Sequence, residues 1–120
     1  MTDLIAFLRA RLDEDARAAR RAGDSFRQIG ETGVIVATEG DRAEECASVN
    51  WAGIAEHIVR HDPARVLAEV DAKRRMLEQF GSIAKGDFID AGEQVVAQAA
   101  LELLALPFAD HPDYQDTWRP

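Results

Sequence analysis

Apolar residues recur every three or four positions in four stretches of the chain, which is the spacing of amphipathic helices. The first stretch predicts a helix over residues 2–22, because apolar side chains return to one face from Leu4 to Ala19 and Gly23 follows as a stop signal. The other three stretches predict helices over residues 51–61, 63–80 and 87–106. The chain is therefore expected to be mainly helical.

Residues 26–50 interrupt the helical spacing with short runs typical of strands. Residues 32–38 are rich in β-branched side chains, and the turn signal Glu39-Gly40-Asp41 separates them from a weaker run at 43–49. The pattern predicts an antiparallel β-hairpin and is compatible with a third short strand at 26–29. The predicted fold class is α+β: four helices with a small antiparallel β-hairpin between helix 1 and helix 2.

Two signals define the ends of the third helix. Asp62-Pro63 is a strong start signal, since aspartate caps a helix N-terminus and proline is tolerated at the first helical position. Gly81 is expected to end the same helix, because glycine is common just past a helix C-terminus.

The last helix and the tail are more apolar than one small core is expected to cover. Val95–Leu106 is apolar nearly all round the helix, which predicts deep burial or a contact between two copies of the chain in a homodimer. Large aromatic side chains follow in the tail, residues 107–120. They either anchor the tail across the domain's own core, which we favour, or recognise a partner.

Composition narrows the class of protein. The chain has 120 residues, of which 47% are hydrophobic, as in ordinary globular domains. No apolar run approaches the roughly 18 residues of a membrane span, and the N-terminus lacks the basic start of a signal peptide. Cys46 is the only cysteine and cannot form an internal disulfide, which fits a reducing compartment. We therefore expect a single cytoplasmic domain over residues 1–120 without a membrane partner.

The charge of the chain argues against nucleic acid as a partner. The 22 acidic and 14 basic residues give a net charge of −8, and nucleic-acid binding needs positive potential. The basic residues at the centre of the chain are spread around the helices rather than gathered on one face: Arg60, Arg65, Arg74 and Arg75.

The histidines are the candidate chemical groups. His57 and His61 are one helical turn apart, so both imidazoles lie on one side of a helix and can bind one divalent metal ion. Two ligands do not complete a metal site, and the spacing fixes no third one. His111 is the candidate third group, and the alternatives are Cys46, Glu56, Asp62 and Asp110. Alternatively the pair packs and hydrogen-bonds at the helix junction, which we favour, or acts in general acid–base catalysis. We assign no catalytic residue and no required cofactor.

Two charged side chains fall on apolar helix faces. Lys73 lies near the middle of the apolar stripe of the third helix, and Asp15 lies between Leu4 and Leu8 on the first. If the two stripes face each other, Asp15 and Lys73 form a structural pair that fixes the register of the helices. Alternatively Lys73 extends to water or pairs locally with Glu69.

Three stretches of the chain carry a resemblance to a known family. They are residues 7–15 (FLRARLDED), residues 57–75 (HIVRHDPARVLAEVDAKRR) and residues 104–114 (LALPFADHPDY) with the closing WRP at 118–120. On these stretches the chain resembles a family of small actinobacterial and phage-encoded proteins described only as a domain of unknown function. The resemblance implies a fold unit and a setting, but no reaction.

The chain departs from that family in two places. Many members carry a cysteine-rich segment suggestive of a metal site where this chain has residues 80–87, which contain no cysteine. A thiolate-bound zinc is therefore not expected here. The Thr-Pro-Gly-Pro-Trp-like turn common after the first helix is replaced by Gly23-Asp24-Ser25-Phe26.

These observations favour a non-enzymatic protein-interaction or regulatory module, and the resemblance implies an actinobacterial or phage context. The first alternative is a metal-binding protein or metal-dependent enzyme centred on His57 and His61. The second alternative is a nucleic-acid binder.

Overall fold

The computed structural model describes residues 2–86 and 90–120. In chain order its elements are α1 (Thr2–Arg21), β1 (Ser25–Gln28), β2 (Val34–Glu39), β3 (Arg42–Ser48), α2 (Ala52–Arg60), α3 (Pro63–Ala84) and α4 (Ala91–Ala105). Two single-turn 3₁₀ helices follow at Leu106–Phe108 and Asp116–Trp118. The described residues confirm the predicted α+β class, with four helices and a small antiparallel sheet between α1 and α2. None of the helices described is both long and apolar enough to cross a membrane.

The strand region forms a three-stranded antiparallel sheet with β2 in the centre. The predicted hairpin is β2–β3, and the third strand that the sequence allowed is β1. The register between β2 and β3 shifts between Ile35 and Val36, which leaves Cys46 without an opposite residue on β2. Ile35 is fully buried, whereas nearly all of β3 is exposed. The sheet therefore contributes to the buried core mainly through Ile35 on its central strand.

The end of α1 agrees with the stop signal in the sequence. Gly23 follows the helix with a φ of +110°, a conformation that side chains with a Cβ rarely adopt. A Cβ at this position would also lie 2.9 Å from the carbonyl oxygen of Thr38. The same oxygen accepts a hydrogen bond from the backbone N–H of Asp24 at 2.8 Å, so the chain enters the sheet directly after the helix.

Asp62 caps α3 as predicted and makes a second bond that the sequence did not indicate. Its Oδ1 accepts from the backbone N–H of Arg65 at 2.9 Å, which satisfies a free donor of the first turn. Its Oδ2 accepts from the backbone N–H of Phe26 on β1 at 3.1 Å. One carboxylate therefore holds both the start of a helix and the start of a strand.

The expectation that Gly81 ends α3 is wrong, because the helix continues to Ala84. Gly81 is buried, and a Cβ on it would lie 3.3 Å from Cδ1 of Ile5 on α1. The glycine therefore lies inside the helix at a point where α1 comes close. This packing outweighs the cost of a glycine in a helix, which is roughly 1 kcal/mol relative to alanine.

The predicted start of the last helix falls partly on residues 87–89, which lie outside the described part of the chain. As described, α4 begins at Ala91 and ends at Ala105. The 3₁₀ turn at Leu106–Phe108 contains the proline that was expected to stop the helix. The helix predicted over 51–61 is α2, one residue shorter at each end.

Contacts divide the chain into two units, which differ in the size of their buried side chains. The terminal unit comprises residues 1–14 and 71–120, and the central unit comprises residues 15–70. Buried apolar residues of the terminal unit are mostly large: Leu4, Ile5, Phe7, Leu8, Leu12, Leu77, Ala97, Leu101, Ala105 and Trp118. Those of the central unit are mostly small: Ala16, Ala19, Ile35, Ala55 and Val70.

The aromatic residues of the tail lie against α1 within the terminal unit. The Phe7 ring is 5.0 Å from Trp118, 5.9 Å from Tyr114 and 6.4 Å from Phe108, measured between ring centroids. Aromatic pairs at these distances stabilise a fold by more than the burial of their apolar area alone. These contacts agree with the packing that we favoured for the tail, and its contribution to stability stays a prediction.

Candidate functional site

Helix α4 carries apolar residues on two opposite sides. Ala97, Leu101 and Ala105 recur every four residues and are buried in the core of the terminal unit, with Leu101 fully inaccessible to solvent. This row accounts for the way α4 packs on its own unit. It leaves the other side of the helix to be explained.

The opposite side of α4 is an exposed apolar row that we call the α4 stripe. Its members are Gly92, Val96, Ala99, Leu103 and Leu106. They are spaced by four, three, four and three residues, the heptad spacing with which one helix packs against another. Val96 is 66% and Leu103 58% exposed, and Val95 at the margin of the stripe is also exposed. A continuous exposed row with large aliphatic side chains is a candidate interaction surface.

The first turn of the helix is held in place by Asp90. Its Oδ1 accepts from the backbone N–H of Gly92 at 2.8 Å and of Glu93 at 3.2 Å. Asp90 itself is extended, with φ −73° and ψ 113°, so the helix begins directly after it. Leu106 keeps helical backbone angles, φ −55° and ψ −39°, so the stripe remains in register to its last member.

Charged residues lie at the margins of the α4 stripe rather than on it. On a helix with 100° per residue, Glu93 and Glu102 fall on opposite sides of the row, and Gln98 falls well outside it. Each of the five stripe positions is Gly, Ala, Val or Leu. The α4 stripe is therefore an uncharged strip with one acidic margin on each side.

The structure brings His57 and His61 together. Their ring centroids are 4.6 Å apart with planes inclined by 53°, and both residues are exposed, His57 on α2 and His61 directly after its last residue. Neither ring has a hydrogen bond or ion pair to any residue in the ranges 2–86 and 90–120. The favoured packing role at the helix junction therefore receives no support from hydrogen bonds of the rings.

His111 occupies a different environment in the terminal unit. Its Nδ1 accepts from Nη1 of Arg11 at 2.9 Å and from the backbone N–H of Asp113 at 3.0 Å. Since a guanidinium and a backbone amide only donate, Nδ1 carries no proton and the ring proton lies on Nε2. One nitrogen of His111 is therefore already engaged, which weakens its case as a metal ligand.

Within the described part of the chain, no group of three or more His, Cys, Asp and Glu side chains is placed to hold a metal ion. A complete metal centre built from His57, His61 and His111 thus gains no support there. The two adjacent imidazoles remain as a pair.

The proposed pair Asp15–Lys73 stays a prediction. Lys73 is half-buried and lines a cavity of about 10 Å³ in the terminal unit with the apolar side chains of Leu8, Leu77 and Leu104 among others, so it does face apolar surroundings. Glu69, the alternative local partner, binds Nε of Arg65 through its carboxylate at 2.9 Å.

Three of the four arginines considered for nucleic-acid binding are paired with acidic side chains. Arg65 contacts Glu69, Arg74 contacts Asp13 at 2.7 Å and Arg75 contacts Asp71 at 3.1 Å. An arginine already paired with a carboxylate offers less attraction to a phosphate. This observation weakens the nucleic-acid interpretation further.

The sequence interpretation missed Arg11. Its side chain is only 8% exposed, and its guanidinium lies 4.9 Å from the centre of the Phe7 ring, between Glu14 and His111. A signal was available, because Arg11 is seven residues after Leu4 and thus on the buried face of α1. Burial of a charge with this many partners indicates a structural role that joins α1 to the tail.

Comparison with known proteins places the chain in a family. The model of a family of unknown function, DUF6221, matches residues 1–120, so the chain belongs to that family. Neither a curated protein nor a solved structure matches the chain. Membership gives no reaction, ligand or origin, and the actinobacterial or phage setting stays a prediction.

Proposed function

We propose that this member of a family of unknown function is a non-enzymatic protein-interaction module that binds a second copy of itself through the α4 stripe. The observation that carries the proposal is the exposed row Gly92, Val96, Ala99, Leu103 and Leu106 at heptad spacing. Covering Val96 and Leu103 removes apolar surface from water, at about 25 cal/mol per Å².

The stripe is complementary to itself when two helices cross antiparallel at Ala99. In a two-fold arrangement, each residue faces the one equally far on the other side of Ala99. Leu103 then faces Val95 at the margin of the partner's stripe, and Leu106 faces Gly92, so in these two pairs the larger side chain meets a smaller one. Val96 lies level with Glu102, which is at the margin of the stripe. The small Ala99 lies at the crossing point, where the two backbones must approach each other.

The sizes of the stripe residues favour the antiparallel arrangement. A parallel two-fold pair would place each stripe residue level with its own copy, Leu103 with Leu103 and Gly92 with Gly92. We therefore commit to the antiparallel dimer.

The expected dimer is weak. A helix of 15 residues is about 22 Å long. One exposed side of such a short helix buries less surface than the roughly 800 Å² per partner of a standard interface. The net charge of −8 on each copy opposes association, and salt screens this repulsion. We expect a dimer that forms with rising protein concentration and is strengthened by salt.

Sedimentation equilibrium over a wide concentration range tests the proposal. The mass is expected to rise from 13.2 kDa towards twice that value. Leu103→Glu places a charge in the stripe and is expected to keep the chain monomeric, because the buried carboxylate would lack a partner. Gln98→Glu adds the same charge to the same helix outside the stripe and is expected to leave association within about threefold of the unchanged protein.

Two results would contradict the proposal. One is a strict monomer at roughly 1 mM protein, which would leave less than about 4 kcal/mol for self-association. The other is equal weakening by Leu103→Glu and Gln98→Glu, which would assign the effect to net charge rather than to the stripe.

A further inference from the structure

We propose that His57 and His61 form a two-ligand surface site for a divalent transition-metal ion of the zinc, nickel and copper class. This site is separate from the α4 stripe and does not depend on the proposed dimer. It also differs from the three-histidine centre, since it requires no contribution from His111.

The geometry of α2 supplies both ligands at once. The rings lie 4.6 Å apart between centroids on the exposed side of the helix, and solvent reaches both of them. Neither ring is engaged in a hydrogen bond or ion pair with the described residues, so binding an ion breaks no such contact of the rings. His57 lies on the helix and His61 caps its end with φ −112° and ψ 38°, so an ordered backbone holds the two rings side by side, which lowers the entropy cost of bringing them to one ion.

The charges around the pair partly oppose one another. His61 is the C-cap of α2, and its backbone N–H donates to the carbonyl oxygen of Ile58 at 3.2 Å. The partial negative charge at the end of α2 attracts a cation, whereas the partial positive charge at the start of α3, two residues later, opposes it. The acidic chain as a whole adds to this attraction, while Arg60 on the same turn opposes it.

The ligand type selects the ion. Imidazole nitrogen binds zinc, copper and nickel, whereas magnesium and calcium prefer oxygen ligands. The affinity is expected to follow the order Ni²⁺ < Cu²⁺ > Zn²⁺. Within residues 2–86 and 90–120 no third His, Cys, Asp or Glu completes the site, so water is expected to fill the remaining positions.

Isothermal titration of the untagged full chain with ZnCl₂ and NiCl₂ tests the site, with MgCl₂ as the control ion. We expect one ion per chain. His57→Gln and His61→Gln are each expected to weaken binding about tenfold or more, since loss of a direct ligand costs at least as much as loss of a supporting group. Bound Zn²⁺ is also expected to raise the melting temperature of the unchanged protein and not that of either variant.

Two control variants locate the ion. Glu56→Gln removes an exposed carboxylate from the same turn and is expected to change affinity by less than about threefold. His111→Gln keeps an acceptor for Arg11 and is expected to leave binding unchanged. Circular dichroism of each variant checks that α2 and the rest of the chain stay folded.

Several outcomes would overturn the site. They are the absence of Zn²⁺ and Ni²⁺ binding by the unchanged protein, equal binding of Mg²⁺, and undiminished binding in both His57→Gln and His61→Gln. A loss in His111→Gln as large as in His57→Gln would likewise contradict a site made of two ligands only.

Discussion

The two sides of α4 have the same kind of side chains and opposite environments. Leu101 is 0% exposed and Leu103, two residues later on the same helix, is 58% exposed. Both rows are apolar, so hydrophobicity alone does not decide which row packs on its own unit. The buried row of Ala97, Leu101 and Ala105, the inner row, stabilises a single chain. We assign the α4 stripe, the outer row, to association between chains.

The largest expected effect comes from breaking the inner row. Leu101→Ala removes a fully buried side chain and leaves a cavity, so we expect the free energy of unfolding to fall by about 2–5 kcal/mol. Urea denaturation followed by circular dichroism measures this change. A loss below about 1 kcal/mol would mean that the inner row is not a rigid part of the core.

A smaller effect is expected at the start of the helix, which both rows share. Asp90→Ala leaves the N–H groups of Gly92 and Glu93 without their acceptor, and we expect a loss of about 1 kcal/mol. The same denaturation measurement applies. Asp90→Asn keeps a side-chain oxygen and is expected to retain most of the stability; equal losses in both variants would rule out a capping role for Asp90.

The smallest effect on the single chain is expected in the outer row. In dilute solution Leu103→Ala is expected to change the free energy of unfolding by less than about 0.5 kcal/mol, because the side chain is exposed. In sedimentation the same substitution is expected to weaken the dimer. A dilute-solution loss as large as that of Leu101→Ala would erase the distinction between the two rows.

Local signals predicted much of the fold. Asp62-Pro63 and Gly23 act on their immediate neighbours, so the start of α3 and the end of α1 were readable from a few residues. Asp90 was missed, although Asp90 and Glu93 have the spacing of a capping box. Gly81 was misread because its role depends on Ile5, which is distant in the sequence and close in the fold.

The candidate sites were predictable to a similar extent and for the same reason. Helical spacing alone places His57 beside His61 and makes Val95–Leu106 apolar on both sides. It does not say which side is exposed, because that depends on the elements packed against the helix. The bond between Arg11 and His111 joins residues 100 positions apart, and no local pattern contains it.

The double role of Asp62 ties together two local motions. Its two oxygens protect the amide protons of Arg65 and Phe26, one in the first turn of α3 and one in β1. Rotation of that side chain would release both amides in the same event, while β1 would stay paired with β2. The hydrogen exchange of the two amides is therefore expected to be coupled, although they are far apart in the chain.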